Sequence, residues 1–151
     1  MAAPAKSLVV ACANCGTKNR VQFDTALEKQ PICGKCKTSL PAPSSEPVIV
    51  TDASFASVVE SSRLPVLLDM WAAWCGPCRM VAPTISILAS ELVGKVLVGK
   101  LDVDANPRTA GRFSARSIPT LLIIKNGKEV DRLVGVQTRE AILRRLEPFV
   151  S

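Results

Sequence analysis

From residue 48 onward the apolar positions alternate between short runs and helical stripes. Val48 to Val50 predicts a short strand. Thr51 or Asp52 is suited to cap a helix reaching about Ser61, with Phe55, Val58 and Val59 turned inward. Val66 to Ala72 is an apolar run broken only by Asp69, as in a strand buried on both faces. Val81, Ala82, Ile85, Leu88, Ala89 and Leu92 then recur at helical spacing. Pro83 inside that helix removes a backbone donor and predicts a kink. Val96 to Val103 predicts the next strand. Asn106-Pro107 opens a short helix near Phe113, with Pro107 at its first position. Thr120 to Lys125 predicts a strand, Asn126-Gly127 a tight hairpin turn, and Glu129 to Val134 the antiparallel partner. Thr138 caps a last helix whose stripe is Ile142, Leu146, Phe149 and Val150. The order βαβαβαββα predicts an α/β fold with a mixed sheet covered on both faces.

The first 47 residues break this pattern. Cys12, Cys15, Cys33 and Cys36 fall in the first quarter, and Val21 and Phe23 alternate as a short strand between the two pairs. Pro41-Ala-Pro-Ser-Ser-Glu-Pro47 has three prolines in seven residues, the composition of a semi-extended linker. The expected organisation is a small module at 1–40, a linker at 41–47 and a larger domain at 48–151, with no internal repeat.

Composition narrows the function classes. Of the 151 residues, 48% are hydrophobic and 21% charged, so a packed core is expected and wholesale disorder is not. No apolar run approaches the roughly 18 residues of a membrane span. Histidine is absent, which excludes Ser-His-Asp and Cys-His catalysis and imidazole-ligated metals. The net charge of +6 is divided evenly between residues 1–46 and 47–151, so no basic tract of nucleic-acid type stands out. Val9-Val10-Ala11-Cys12 weakly resembles a lipoprotein cleavage site. The apolar stretch before Cys12 is only Leu8 to Ala11, short of the roughly 7–15 residues of a signal peptide. A cytoplasmic protein is expected, where cysteine pairs serve as metal sites or redox catalysts rather than structural disulfides.

Trp74-Cys75-Gly76-Pro77-Cys78 falls where a buried strand gives way to a helix. Unpaired N–H groups and the helix dipole at that end stabilise a negative charge, and the thiolate is the nucleophile, so Cys75 is activated there. Cys78, one turn along and expected to be less exposed, is placed to resolve a mixed disulfide formed at Cys75. Gly76-Pro77 brings no cation to stabilise the thiolate, which favours a reductant over an oxidant. Asp69, alone in its apolar strand, is expected to have a raised pKa and to accept the proton of Cys78; an aspartate reaching solvent at a strand end is the alternative. Lys100 lies near Asp69 or snorkels on an exposed face.

Residues 47–151 resemble the thioredoxin family. The resemblance is carried by Trp71-Ala-Ala-Trp-Cys-Gly-Pro-Cys-Arg79 as the active-site motif and Leu68-Asp69 as the buried-aspartate segment. Lys100-Leu-Asp-Val-Asp-Ala-Asn-Pro107, Arg116-Ser-Ile-Pro-Thr120 and Lys125-Asn-Gly-Lys128 match further family segments. It implies a central mixed sheet flanked by four helices, and a cis-proline at Pro119. It further implies that Ile118 offers backbone hydrogen bonds to a substrate strand, with Trp74, Gly76, Pro77 and Gly135 completing a shallow contact surface. Trp71 and Lys100 would modulate the site; Trp71 as plain core and Gly135 as plain turn are the alternatives. Met70 stands where the family usually has an aromatic. Ser114 and Ala115 replace a Gly and an aliphatic, so Ser114 is expected in a left-handed position and the loop before Pro119 is expected to be more mobile.

Cys12-Ala-Asn-Cys15 and Cys33-Gly-Lys-Cys36 are separated by 17 residues, the two-knuckle zinc pattern. Each pair can wrap two thiolates round one side of a tetrahedral ion, with Gly16 and Gly34 relieving the tight turns. The module has too few apolar residues to fold unaided, and structural zinc contributes on the order of 10–16 kcal/mol to such peptides. Two extra redox dithiols or an iron–sulfur cluster are the competing readings. A zinc ribbon joined to a thioredoxin domain is similar to the bacterial thioredoxin 2 class. That resemblance implies a cytoplasmic protein-disulfide reductase, a monomer with one structural zinc. It also implies recycling by a flavin-dependent thioredoxin reductase using NADPH. The alternatives are a zinc-gated redox sensor or holdase, and a nucleic-acid- or protein-binding ribbon on a thioredoxin scaffold. The last draws only on Lys18, Arg20, Lys29, Lys35 and Lys37, and four thiolates with zinc would lower the ribbon charge by two.

Overall fold

The computed structural model describes residues 7–12, 14–22, 32–39 and 46–150. The chain divides into two compact units, Met1–Ser44 and Ser45–Ser151. The proline-rich segment lies outside the described residues except for Glu46 and Pro47, as do Phe23 and Lys29. Among the described residues no helix is long and apolar enough to cross a membrane.

In the first unit, β1 (Ser7–Ala11) pairs antiparallel with β2 (Lys18–Gln22), from Ser7 opposite Gln22 to Ala11 opposite Lys18. The second strand extends the segment expected around Val21; the first was not expected. Cys12 and Cys15 form the turn between them. An isolated bridge from Ile32 to Ser39 brackets a second turn carrying Cys33 and Cys36.

The second unit contains a five-stranded sheet in the order β3 (Val48–Ile49), β5 (Leu97–Asp102), β4 (Val66–Trp71), β6 (Thr120–Lys125), β7 (Lys128–Val134). The β3–β5 and β4–β5 pairs are parallel, and β4–β6 and β6–β7 are antiparallel. Parallel neighbours need long crossovers, and helices supply them. These are α1 (Ala56–Glu60), a single π-helical turn, α2 (Gly76–Glu91), α3 (Pro107–Arg112) and α4 (Arg139–Leu146). The α4 helix continues into a 3₁₀ turn at Glu147–Phe149. This is the mixed α/β sheet expected from the alternating pattern, with the four helices that the family resemblance implies.

Side-chain alternation sorts the core onto two faces. Leu67, Leu121 and Ile123 of the central strands pack with Val81, Ile85, Leu88, Ile142 and Leu146 of α2 and α4. Leu68, Met70, Leu122 and Ile124 face the other way, against Phe55, Val59 and Phe113 around α1 and α3. Met70 fills its aromatic-type position completely buried. The hairpin turn has Asn126 at φ +53° and Gly127 at φ +79°, as a primed turn requires. Helix α2 runs through Pro83 as one element.

The start of α1 differs from expectation. The Ser54 N–H donates to Thr51 Oγ1 at 3.1 Å and the Thr51 N–H to Ser54 Oγ at 2.9 Å, so this turn precedes the helical residues. Asp52 caps neither this turn nor α1. Its Oδ1 accepts from the Thr109 N–H at 2.8 Å and from the Thr109 hydroxyl at 2.6 Å, and its Oδ2 from the Arg108 N–H at 3.2 Å. The carboxylate thus caps α3, across the sheet end. Asn106 closes the arrangement by accepting from the Asp52 N–H at 2.8 Å.

Candidate active site and thiolate cluster

Strand β4 ends at Trp71, and Cys75 is the N-cap of α2 with Pro77 in its first turn. At that position the first helical N–H groups have no intrahelical acceptor. The Cys78 N–H donates to Cys75 Sγ at 3.2 Å. Such a bond favours the charged form of Cys75 once the pair is reduced. Cys75 and Cys78 are joined as a disulfide. Both are 3% exposed, so burial does not separate an attacking from a resolving sulfur in the oxidised form.

The sulfur pair packs with Ala72, Trp71, Val103 and Ile118. The Ile118–Pro119 peptide is cis, and the Ile118 carbonyl oxygen lies 3.6 Å from Cys75 Sγ. Gly135, at φ +87°, donates its N–H to the Pro119 carbonyl at 2.8 Å and so ties its loop to the cis-proline segment. Trp74 is 68% exposed, and Gly76 and Pro77 are exposed beside it. Every residue expected on the contact surface is therefore found around the disulfide or joined to its neighbours.

Two contacts here were not expected from the sequence. The Trp74 indole Nε1–H donates to Asp104 Oδ2 at 2.8 Å, and Arg79 Nη1–H to the Ala73 carbonyl at 2.7 Å. Both fix the loop before Cys75. Asp104 sits on the turn after β5, where Asp102 Oδ1 accepts its N–H at 2.9 Å. Nothing in the local pattern marks it as a partner of a tryptophan thirty positions earlier. Ser114 has φ +52°, the left-handed conformation expected for it.

Asp69 alternates with Leu67 on β4, which puts it on the α2 side of the sheet. It is 1% exposed, and neither carboxylate oxygen has a hydrogen-bond partner. Burial pushes its pKa up to about 6, opposed by the nearby Lys100 ammonium. The reading as a solvent-reaching strand-end acid does not hold. Lys100 is opposite Asp69 in the β4–β5 register, and its Nζ lies 4.9 Å from the centroid of the Trp71 ring. Trp71 is half-buried and packs against Ala72, Cys75 and Cys78.

In the first unit the Sγ atoms of Cys12, Cys15, Cys33 and Cys36 all lie within 4.8 Å of one another. Cys12 Sγ is 3.6 Å from Cys36 Sγ, and Cys15 Sγ is 3.6 Å from Cys33 Sγ. Four converging thiols in so small a volume could hold a metal ion. The two turns are built alike. The Gly16 N–H donates to the Cys12 carbonyl at 2.8 Å, and the Lys37 N–H to that of Cys33 at 3.0 Å. The N–H of Cys12 donates to Thr17 O and that of Cys33 to Thr38 O, each at 2.8 Å. Thr17 Oγ1 lies 3.2 Å from Cys15 Sγ, and Thr38 Oγ1 lies 3.1 Å from Cys36 Sγ. Cys-x-x-Cys-x-Thr is thus a short internal repeat, where none was expected. The left-handed residue of the first turn is Gly16 at φ +77°; in the second it is Lys37 at φ +64°, not Gly34. Hydrogen bonds led by the Asn14 side chain hold the Cys36 thiol down, to about 5.

Comparison with known proteins agrees with this geometry. The family model described as Thioredoxin matches residues 46–148. A thioredoxin of Mycobacterium tuberculosis is 54% identical over 101 residues, 67% of this chain and 87% of that protein. Thioredoxin C-3 of Corynebacterium nephridii is 41% identical over 129 residues, 85% of this chain and 86% of its own. A bifunctional thioredoxin reductase/thioredoxin of Mycobacterium leprae is 50% identical over 101 residues, which are 67% of this chain and 22% of that protein. With its redox disulfide at the head of α2, the chain belongs to the thioredoxin family and is a thioredoxin-type disulfide oxidoreductase.

Proposed function

We propose that this protein reduces disulfides of cytoplasmic proteins, with Cys75 as the attacking thiol and Cys78 as the resolver. The Cys75 thiolate attacks one sulfur of a substrate disulfide and expels the other as a thiolate. Cys78 then attacks Cys75 Sγ, forms the Cys75–Cys78 disulfide and releases the substrate's remaining sulfur. Two electrons pass to the substrate in this exchange. The observation that carries the assignment is the Cys78 N–H donated to Cys75 Sγ at the N-cap of α2, which lowers the cost of a thiolate at Cys75 and not at Cys78. Asp69, ionised above about pH 6, accepts the proton that Cys78 must lose. Lys100 tempers the Asp69 pKa, and Trp71 holds the Lys100 ammonium over its ring. Trp74, Gly76, Pro77, Ile118, Pro119 and Gly135 form the surface that receives the substrate strand.

We further propose that residues 1–40 form a zinc ribbon of the thioredoxin 2 type, joined by a linker at 41–47 to the thioredoxin domain at 48–151. Tetrahedral zinc with bonds of about 2.3 Å separates its thiolates by roughly 3.8 Å. The Cys12–Cys36 and Cys15–Cys33 sulfur pairs, each at 3.6 Å, suit that spacing. Cys12, Cys15, Cys33 and Cys36 would hold the ion, which supplies folding energy rather than redox chemistry. The protein is then a cytoplasmic monomer recycled by an NADPH-dependent flavoprotein thioredoxin reductase. The fused reductase and thioredoxin of the Mycobacterium leprae relative support that partnership.

The test is NADPH consumption with a bacterial thioredoxin reductase and a protein disulfide, beside a zinc determination. Turnover that depends on this chain, and one zinc per chain, are expected. A chain that the reductase never reduces would remove the partnership. A metal-free chain prepared under reducing conditions would remove the zinc.

A further inference from the structure

The two knuckles come from different turns, and one side chain spans them. Asn19 lies on β2, held by strand pairing opposite Val10. Its Nδ2 donates to the Thr17 carbonyl of the first knuckle at 3.0 Å and to Cys33 Sγ of the second at 3.5 Å. Its Oδ1 accepts the Gly34 N–H of the second knuckle at 2.9 Å. The amide supplies two donors on one atom and an acceptor on the other, and all are used in a single orientation. Turning the amide over would set its oxygen against the Thr17 carbonyl and its NH₂ against the Gly34 N–H. Asn14 also reaches across, but with one contact, at 3.5 Å to Cys36 Sγ, from an exposed position.

We propose that Asn19 is the positioning residue of the tetrathiolate site, strapping the second knuckle to the first and setting how slowly the metal leaves. This rests on the zinc reading above. Outer partners of metal ligands commonly change affinity by about ten- to a hundredfold. An aspartate would keep the acceptor for Gly34, lose both donors, and bring a negative charge against Cys33 Sγ. An alanine would lose the strap without adding charge.

The experiment uses the full chain loaded with zinc and follows metal transfer to an excess of a chromogenic chelator. Asn19→Asp and Asn19→Ala are compared with Lys18→Ala, an exposed neighbour on the same strand. Expected are release at least about tenfold faster from Asn19→Asp, a smaller acceleration from Asn19→Ala, and Lys18→Ala within about twofold of wild type. Cobalt substitution gives the second reading: the thiolate-to-metal band of Asn19→Ala keeps its intensity, because all four sulfurs remain. Equal release from all variants overturns the assignment. A vanished cobalt band overturns it in favour of a plain folding role. Wild-type protein that holds no metal removes the zinc reading itself, and the role of Asn19 with it.

Discussion

Asp69 lies on the α2 side of the sheet with both carboxylate oxygens unpartnered, and burial raises its pKa to about 6 from an ordinary 3.8. The folded pKa lies above the unfolded one. Neutral Asp69 therefore favours the fold fully below about pH 4, and that advantage is lost as pH rises through about 6. A rise of that size corresponds to about 3 kcal/mol. Asp69→Asn is expected to be more stable than wild type near pH 7.5, by up to that amount, and to lose the decline between pH 4 and 6; denaturant unfolding across that range measures both. Its disulfide reduction is expected to slow by about tenfold or more and to lose the rise through pH 6 that ionisation of Asp69 gives the wild type. Equal rates and equal pH profiles would remove Asp69 from proton transfer. Residue type and position made this group legible: a lone acid in an apolar run is conspicuous. Its solvent-reaching alternative fell only to three-dimensional burial. Asp104 and Asn19 were not legible, because their partners lie on other elements and neither breaks a local pattern.

Helix α3 is six residues long and begins at Pro107, too short to hold itself together on propensity alone. Its first N–H groups are satisfied by Asp52. Capping rules act on neighbouring residues, so the sequence assigned Asp52 to the nearest helix, whereas the fold delivers it to a distant one. The same locality explains β1. Four apolar residues before a cysteine carry no periodicity, and their strand character comes from pairing with β2. By contrast, the larger domain was legible almost throughout, because buried strands and amphipathic helices imprint their period directly. The hydroxyl of Thr109, then backbone N–H bonds, hold the Asp52 carboxyl below its usual range. Such a group stabilises the fold above the unfolded carboxylate range and ceases to do so as pH falls through its folded pKa. Asp52→Ala is therefore expected to lower Tm by a few degrees at pH 7, with the difference from wild type shrinking below about pH 4. Thermal unfolding at the two pH values checks it. A deficit independent of pH would show that packing, and not the charged cap, is what was lost.

At the scale of the molecule, the two compact units solve the folding problem differently. The larger buries apolar clusters on both sides of its sheet. In the smaller, the buried cluster among the described residues is made of cysteines. Residues 47–151 alone are accordingly expected to fold and to retain disulfide reduction within about tenfold, a barrier difference of about 1.4 kcal/mol. Circular dichroism and a reduction assay on the truncated chain measure this. A folded but inert fragment would make the first unit part of the active surface.

The proposed exchange sends electrons out through Cys75 and closes the cycle at Cys78. Its most direct test is the trapping of substrate proteins as mixed disulfides, resolved by mass spectrometry of the linked peptides. With Cys78→Ser the exchange is expected to stall after the first attack, leaving substrates joined to Cys75. Cys75→Ser is expected to trap none. Substrates joined to Cys78 in the Cys75→Ser protein, and none joined to Cys75 in the other, would contradict the assignment.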